Sequence, residues 1–251
     1  MRKLGLLLAL LMTSAPLAAQ AGEHLLLGDE AYTALRPVDA IAHYEAAVAQ
    51  DSGAYDALWK ASRSLADLAE YEPDKAKRAD MYRRAERFAR LAVAVNPDDA
   101  EAHFHLARAL GRVALSHGPK DRVKYGKAVR EEALEALRLD PDHDGAYHVL
   151  GRWNAEIMRL SGLSRFFAKS FLGGQILGSA RWDEAVRLLS RAVEVDPQRL
   201  AHHLDLARIY RDIDQPEQAR VHYQHVIDGA VTDYNDSHYK REAADELGKL
   251  R

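Results

Sequence analysis

The feature that most constrains this chain is a set of small residues held at fixed distances from three Asx-Pro pairs, Asn96-Pro97, Asp140-Pro141 and Asp196-Pro197. Asp51-Ser52 stands in the same context. Four positions before each Asx lies an alanine: Ala47, Ala92, Ala136 and Ala192. Eleven before lie Ala40, Ala85, Val129 and Ala185, and eleven after lie Ser62, Ala107, Gly151 and Ala207. Small residues in such register are what closely packed helices require, because a larger side chain pushes the axes apart. The Asx-Pro pair is expected to end one helix and begin the next, with Asx as N-cap and proline in the first turn. With only 15 glycines and 8 prolines in 251 residues, long stretches run without a breaker, which favours helices over strands.

This is the grammar of the tetratricopeptide repeat, a helix–turn–helix unit with a period of roughly 34 residues. Gly28 and Ala40, like Ala207 and Ala219, are spaced as an uninterrupted repeat requires. The middle units are stretched, with second helices expected over Asp74–Val95 and Pro119–Leu139 after turns at Pro73 and Gly118-Pro119. The expected fold is an all-α, right-handed tetratricopeptide-like solenoid of about five helix pairs. A closing helix at about Asp236–Leu250, with Tyr239, Ala243, Leu247 and Leu250 on one side, covers the last apolar face.

The N-terminus reads as an export signal. Arg2 and Lys3 precede an apolar run from Leu4 to Met12, and Ala19-Gln20-Ala21 supplies small residues around a cut. Cleavage is expected after Ala21, placing a single repeat domain, residues 22–251, in a periplasm or outside the cell. The apolar run is too short for a membrane span, and no other stretch supplies one for the mature chain. Without cysteine there is no disulfide framework, thiolate metal site or cysteine nucleophile. The net charge of −3 offers no global basic field for nucleic acid.

The stretches NPDDAEAHFHLARALGRVA, LDPDHDGAYHVLGRWNAEI and SRFFAKSFLGG together resemble the regulator of microtubule dynamics family. The likeness runs from about Asp51 to Arg220. It implies a tetratricopeptide-like domain with lengthened repeats. Eukaryotic members are linked to microtubules, mitochondria and membrane contact sites, and one to phospholipid binding through its repeat domain. An export signal in place of their targeting segments separates this chain from those cellular roles.

One pattern looks chemical. An arginine follows the small position in four units: Arg63, Arg108, Arg152 and Arg208. One turn before each lies a larger residue, Trp59, Phe104, His148 or Leu204. That spacing puts each pair on one helix face. In this repeat the first helix of each pair lines the concave groove, so these eight residues are expected to form a ligand-binding stripe. Guanidinium groups bind carboxylate or phosphate bidentately. Under this reading the groove captures a protein or peptide partner, acidic in character; phospholipid or a small anion is the alternative. The competing reading makes the arginines braces between repeats, paired with Asp56, Glu101, Glu156 or Asp205, and both can hold.

The insert carrying Leu163, Phe166, Phe167 and Phe171 presents one apolar helical face. It is expected to pack on the repeats rather than to act as a lid or lipid-facing surface. Enzyme motifs are missing: no Gly-x-Ser-x-Gly, phosphate loop, dinucleotide fingerprint or HExxH occurs. His103 and His105 diverge on a helix, His202 and His203 diverge as neighbours, and His222 with His225 lack a third ligand. The expectation is a non-enzymatic binding or scaffold module with no metal and no cofactor.

Overall fold

The computed structural model describes residues 4–115, 119–160 and 177–250, with side chains described from residue 19 onward except 119–124 and 177. The described residues form α-helices joined by short turns, with one 3-10 turn at Leu177–Ser179 and no strand. The chain divides into two compact units, Met1–Pro97 and Asp98–Arg251.

The first unit holds α1 (Leu4–Thr33), α2 (Pro37–Gln50), α3 (Tyr55–Glu70) and α4 (Lys75–Val95). Helix α1 packs on α2, α2 on α3, and α3 on α4. Helix α1 runs without a break through the expected cut after Ala21, and Ala21 is itself buried. Gly28 explains how closely α1 and α2 approach. A Cβ there would lie 2.5 Å from the ring of Tyr44, which is fully buried between the two helices. Between them the chain turns through Leu35 at φ 57°, and Arg36 N–H reaches back to Ala31 O at 2.9 Å. Asp74 caps α4, its carboxylate accepting from the N–H groups of Ala76 and Lys77.

The second unit holds α5 (Ala100–Leu115), α6 (Pro119–Leu139), α7 (Asp144–Arg159), α8 (Trp182–Val195), α9 (Leu200–Asp212), α10 (Pro216–Asp228) and α11 (Asp236–Leu247). The pairs are α5 with α6, α7 with α8, and α9 with α10, while α11 lies on α10 and α9. First helices of successive pairs also touch, α5 to α7 and α7 to α9. The turn between α9 and α10 repeats the one between α1 and α2. Asp214 takes φ 59° and Gln215 N–H bonds Tyr210 O at 2.8 Å. These are the two connections whose spacing matched the uninterrupted repeat.

The small positions do what their spacing required. Ala40, Ala47, Ala85, Ala92, Ala107, Ala136, Ala185, Ala192 and Ala207 are all fully buried. At Gly151 a Cβ would stand 2.7 Å from Leu189 Cγ and 3.2 Å from the Leu189 backbone nitrogen, so α7 and α8 meet where no side chain fits. The closing helix also packs as expected. Tyr239, Leu247 and Leu250 lie against a core that includes Ala243, Leu200, Leu204 and Tyr223.

The capping expectation needs correction. The Asx of each Asx-Pro pair does not begin the following helix. Asn96, Asp140 and Asp196, like Asp51, end the preceding helix, each donating its N–H to the alanine four residues back at 2.8–3.0 Å. Proline disfavours the α conformation in the residue before it, so in the three Asx-Pro pairs the helix stops at the Asx. The carboxylates of Asp51, Asp140 and Asp196 then accept the N–H two residues on, forming Asx turns. The next helices start later, at Ala100, Asp144 and Leu200, and His143 Nδ1 caps α7 by accepting from Ala146 N–H at 3.2 Å.

The insert residues Leu163, Phe166, Phe167 and Phe171 lie outside the described residues.

Candidate binding face

The four repeat arginines occupy equivalent places on α3, α5, α7 and α9, yet their surroundings differ. In the first unit the Arg63 guanidinium lies 3.6 Å from the ring centroid of Tyr32, on α1, and 5.1 Å from that of Trp59, one turn back on α3. Such a placement gains cation–π attraction. Among the described residues Arg63 makes no ion pair, and its Nε is buried without a hydrogen-bond partner. The neighbouring carboxylates are engaged elsewhere. Asp67 accepts from Tyr32 Oη at 3.0 Å, and Asp56 accepts from Trp59 Nε1 at 3.1 Å. Asp29 accepts from Tyr44 Oη and from Lys60 Nζ, both at 2.8 Å. Burial and Asp29 push the Tyr44 phenol up, against the pull of nearby Arg63.

The second unit folds Arg152 and Arg208 into a network. Asp205, 9% exposed, faces Arg152 Nη1 at 3.3 Å, His148 Nε2 at 3.1 Å and Arg208 Nη1 at 3.3 Å. Burial alone would raise its carboxyl, but Arg152, His148 and Arg208 hold it well below the usual carboxylate range. Arg208 also binds Glu246 at 3.0 Å and Glu242 at 2.5 Å, both on α11, and remains firmly charged.

On its other nitrogen, His148 meets His202 Nδ1 to Nδ1 at 2.8 Å, so one ring donates to the other. His202 Nε2 in turn faces Asp144 at 2.8 Å, which Arg199 also binds at 2.9 Å. Burial lowers His148 to about 4, against the opposing pull of Asp205. Burial pushes the Asp144 carboxyl up, but His202 and Arg199 outweigh it and leave the group below its ordinary value. For a second carboxylate, Glu101, desolvation is likewise outweighed by His105, His143 and Arg199, which pull it down to about 2.

Of the larger residues expected beside the arginines, Trp59 and His148 stay near their partners. Phe104 and Leu204 do not line a face. Phe104 is 6% exposed and fills the space above Gly145, where a Cβ would come within 2.5 Å of its ring. Leu204 is 1% exposed and belongs to the core under α11. Spacing placed them on the arginine side of the helix, but that side turns inward where the next pair packs. Arg108 is partly buried on α5.

Among the carboxylates expected to brace the arginines, Asp205 does so. Glu156 instead pairs with Arg159 at 2.7 Å, Asp56 with Trp59, and Glu101 with histidines. Residues that the spacing argument missed are Tyr32, Asp144, His202, Glu242 and Glu246. Glu242 and Glu246 were within reach of it, being one turn apart on the helix expected to cover the last arginine. His202 and His203 diverge as expected: His203 meets His222 Nδ1 at 2.9 Å and stacks on His225 at 3.7 Å. Among the described residues no group of three or more His, Cys, Asp or Glu is placed to hold a metal. Among them, too, no helix is long and apolar enough to cross a membrane.

Paired helices with buried alanines in register, Asx stops and a closing helix define a tetratricopeptide-like helical repeat protein. Two solved structures share the fold. One is the thermophilic repeat protein TTC0263 of Thermus thermophilus, with TM-score 0.65 and 18% identity over 89% of this chain and 98% of that one. The other is the Pseudomonas aeruginosa protein pilF, with TM-score 0.54 and 13% identity over 93% and 91%. Residues 26–251 match the family model described as regulator of microtubule dynamics protein 1-3, and the chain belongs to that family. Regulator of microtubule dynamics protein 3 of Rattus norvegicus is 24% identical over 166 residues, covering 66% of this chain and 35% of that protein. The chain thus spans about 35% of the length of such curated relatives.

Proposed function

We propose that this protein is a non-enzymatic binding module that captures an anionic protein or peptide partner on the exposed side of its first helices. One observation carries the reading: Arg63, at the repeat position expected to face the groove, holds its guanidinium beside aromatic rings with no carboxylate paired to it among the described residues. A cation held in that way attracts an anion that the chain itself does not supply. The repeat architecture supports a partner with length, because within each unit successive first helices touch, α1 with α3, and α5 with α7 and α7 with α9. The N-terminal export pattern supports action in a periplasm or outside the cell, on one repeat domain left after cleavage.

Native mass spectrometry of the protein purified from its own cells, with bound molecules retained, tests the function. A peptide or protein adduct supports this reading. A phospholipid adduct transfers the groove to the lipid alternative. The N-terminal residue of the same sample reports on cleavage, with Gly22 expected first.

A further inference from the structure

We infer that the mature N-terminus binds one copper(II) ion. The ligands are the α-amine of Gly22, the main-chain nitrogens of Glu23 and His24, and the Nδ1 atoms of His24 and His43. The inference goes beyond the partner-binding reading and rests on one part of it alone, the cleavage expected after Ala21. That cut makes Gly22 the first residue and His24 the third.

Two features of the structure lead there. The first is a pair of rings. His24 on α1 and His43 on α2 turn Nδ1 toward Nδ1 at 3.2 Å, with their planes tilted by 36°. Among the described residues neither ring has another hydrogen bond, and both are partly exposed. The other facing pairs differ: His202 and His203 are buried, and their Nε2 atoms are held by Asp144 and by the Pro197 carbonyl. At metal–nitrogen distances of about 2.0–2.1 Å, two imidazole nitrogens at right angles around one ion lie about 2.9 Å apart. A longer axial bond widens that gap toward the distance seen. The fold sets the contact, because Gly28, one turn further along α1, packs against buried Tyr44, the residue after His43.

The second feature is the main chain. Two histidines alone hold an ion weakly, and among the described residues no third His, Cys, Asp or Glu joins them. Cleavage supplies the remaining nitrogens. Once the residues before Gly22 are gone, the N–H groups of Glu23 and His24 lose the carbonyl acceptors that the unbroken helix gives them. Neither residue is proline, so both main-chain nitrogens can release a proton to a metal, as the Gly22 amine does. Gly22 and Glu23 are exposed, and a Cβ on Gly22 would meet nothing within 4 Å, so these residues have room to leave the helical path and wrap an ion. The amine, the two main-chain nitrogens and His24 Nδ1 then close successive chelate rings in one plane, with His43 Nδ1 binding from above it. A flat set of nitrogens selects copper(II), which favours square-planar geometry and tops the affinity order of divalent first-row metals, over zinc, which prefers a tetrahedron. With no cysteine, the chain has no thiolate to draw the ion elsewhere or to favour copper(I).

The test uses protein that its cells have exported and processed. Its first residue is read by N-terminal sequencing, and its metal is removed before titration with copper(II) glycinate. One copper(II) per chain is expected, with the paramagnetic resonance and visible spectra of an ion in a plane of nitrogens, and an equal concentration of zinc should not displace it. His24→Gln should abolish that signal. So should one glycine inserted before Gly22, which moves the histidine out of third place while adding no side chain. His43→Gln should keep the planar signal but shift it, through loss of the axial nitrogen. A first residue other than Gly22 would overturn the cleavage reading and this site together. A chain that begins at Gly22 yet gives no planar signal, or one whose signal survives His24→Gln or the inserted glycine, would overturn the site and leave cleavage standing. An unshifted spectrum in His43→Gln would strike His43 from the ligands.

Discussion

In the first unit Arg63 lies over a tyrosine ring and, among the described residues, pairs with no carboxylate, whereas in the second Arg152 and Arg208 close on buried Asp205 from two sides. All three follow the same small packing residue of their repeat, so the repeat has set where each guanidinium starts but not what it does. What differs is the neighbour on the adjoining helix. Tyr32 on α1 offers a ring to Arg63, while α9 offers Asp205 to Arg152 and α11 offers Glu242 and Glu246 to Arg208. A cation closed on carboxylates of its own chain is a brace, and Arg63, held instead by aromatic rings, is not braced in that way. With a buried carboxylate at the centre of its network, the second unit should be the more sensitive to the loss of one charge.

The most severe way to break that contrast is Asp205→Ala. It leaves Arg152, Arg208 and His148 around a buried vacancy of charge. Removing one partner of a buried ion pair typically costs about 3–5 kcal/mol, and the low end applies here because both arginines keep some contact with water. Urea unfolding followed by hydrogen exchange should show the loss in residues 98–251, with the protection of residues 19–97 nearly unchanged. Equal loss in both units would mean that the brace is not local.

Acid should separate the units more gently. His148 and His203, both in the second unit, are lowered to about 4 by burial foremost. Their unfolded forms take up a proton near 6.5 while the folded forms resist it. The stability they contribute is therefore complete above pH 6.5 and is lost as pH falls toward 4. Below that, Asp144, Asp205 and Glu101, whose carboxyls are lowered in the folded state, lose their contribution as they are protonated in turn. Melting temperature against pH should fall first between 6.5 and 4, and His148→Phe should flatten part of that slope. A flat profile across this window would show that the two rings are not held neutral by burial.

Much of the frame was legible from residue spacing because packing inside a helix pair is local. Ala136, Ala192 and Gly151 lie at contacts whose register a single strand of text carries. The closing helix was equally plain, since Tyr239, Ala243 and Leu247 repeat on one side. The role of Asn96, Asp140 and Asp196 was misplaced by one junction: Asx suits both the end of one helix and the start of the next, and the effect of proline on the residue before it decides between them. The binding face was harder to read. Arg152 meets a carboxylate 53 residues away, and Arg63 meets a ring 31 residues before it. Periodicity within one helix reports which way a side chain leaves the axis, but not what the neighbouring helix brings to it. For the same reason Phe104 and Leu204, on the expected side, turned out to be core.

The smallest expected effect isolates burial as the cause. Arg83 and Asp80 on α4 approach to 3.2 Å, nearly the 3.3 Å that separates Arg152 from Asp205, but their side chains are 60% and 57% exposed. In water that wet the attraction is weakened by the high dielectric, and ordering two flexible side chains offsets most of what remains. Arg83→Ala should therefore change stability by about 0.2–1 kcal/mol at most, with the better helix propensity of alanine working in the opposite direction. Repeating the melts in 1 M salt should erase even that difference, since the screening length falls to about 3 Å. Asp205→Ala should keep most of its deficit under the same salt. If both substitutions responded alike, distance rather than burial would govern these pairs, and the distinction between a braced unit and an arginine held by rings would lose its physical basis.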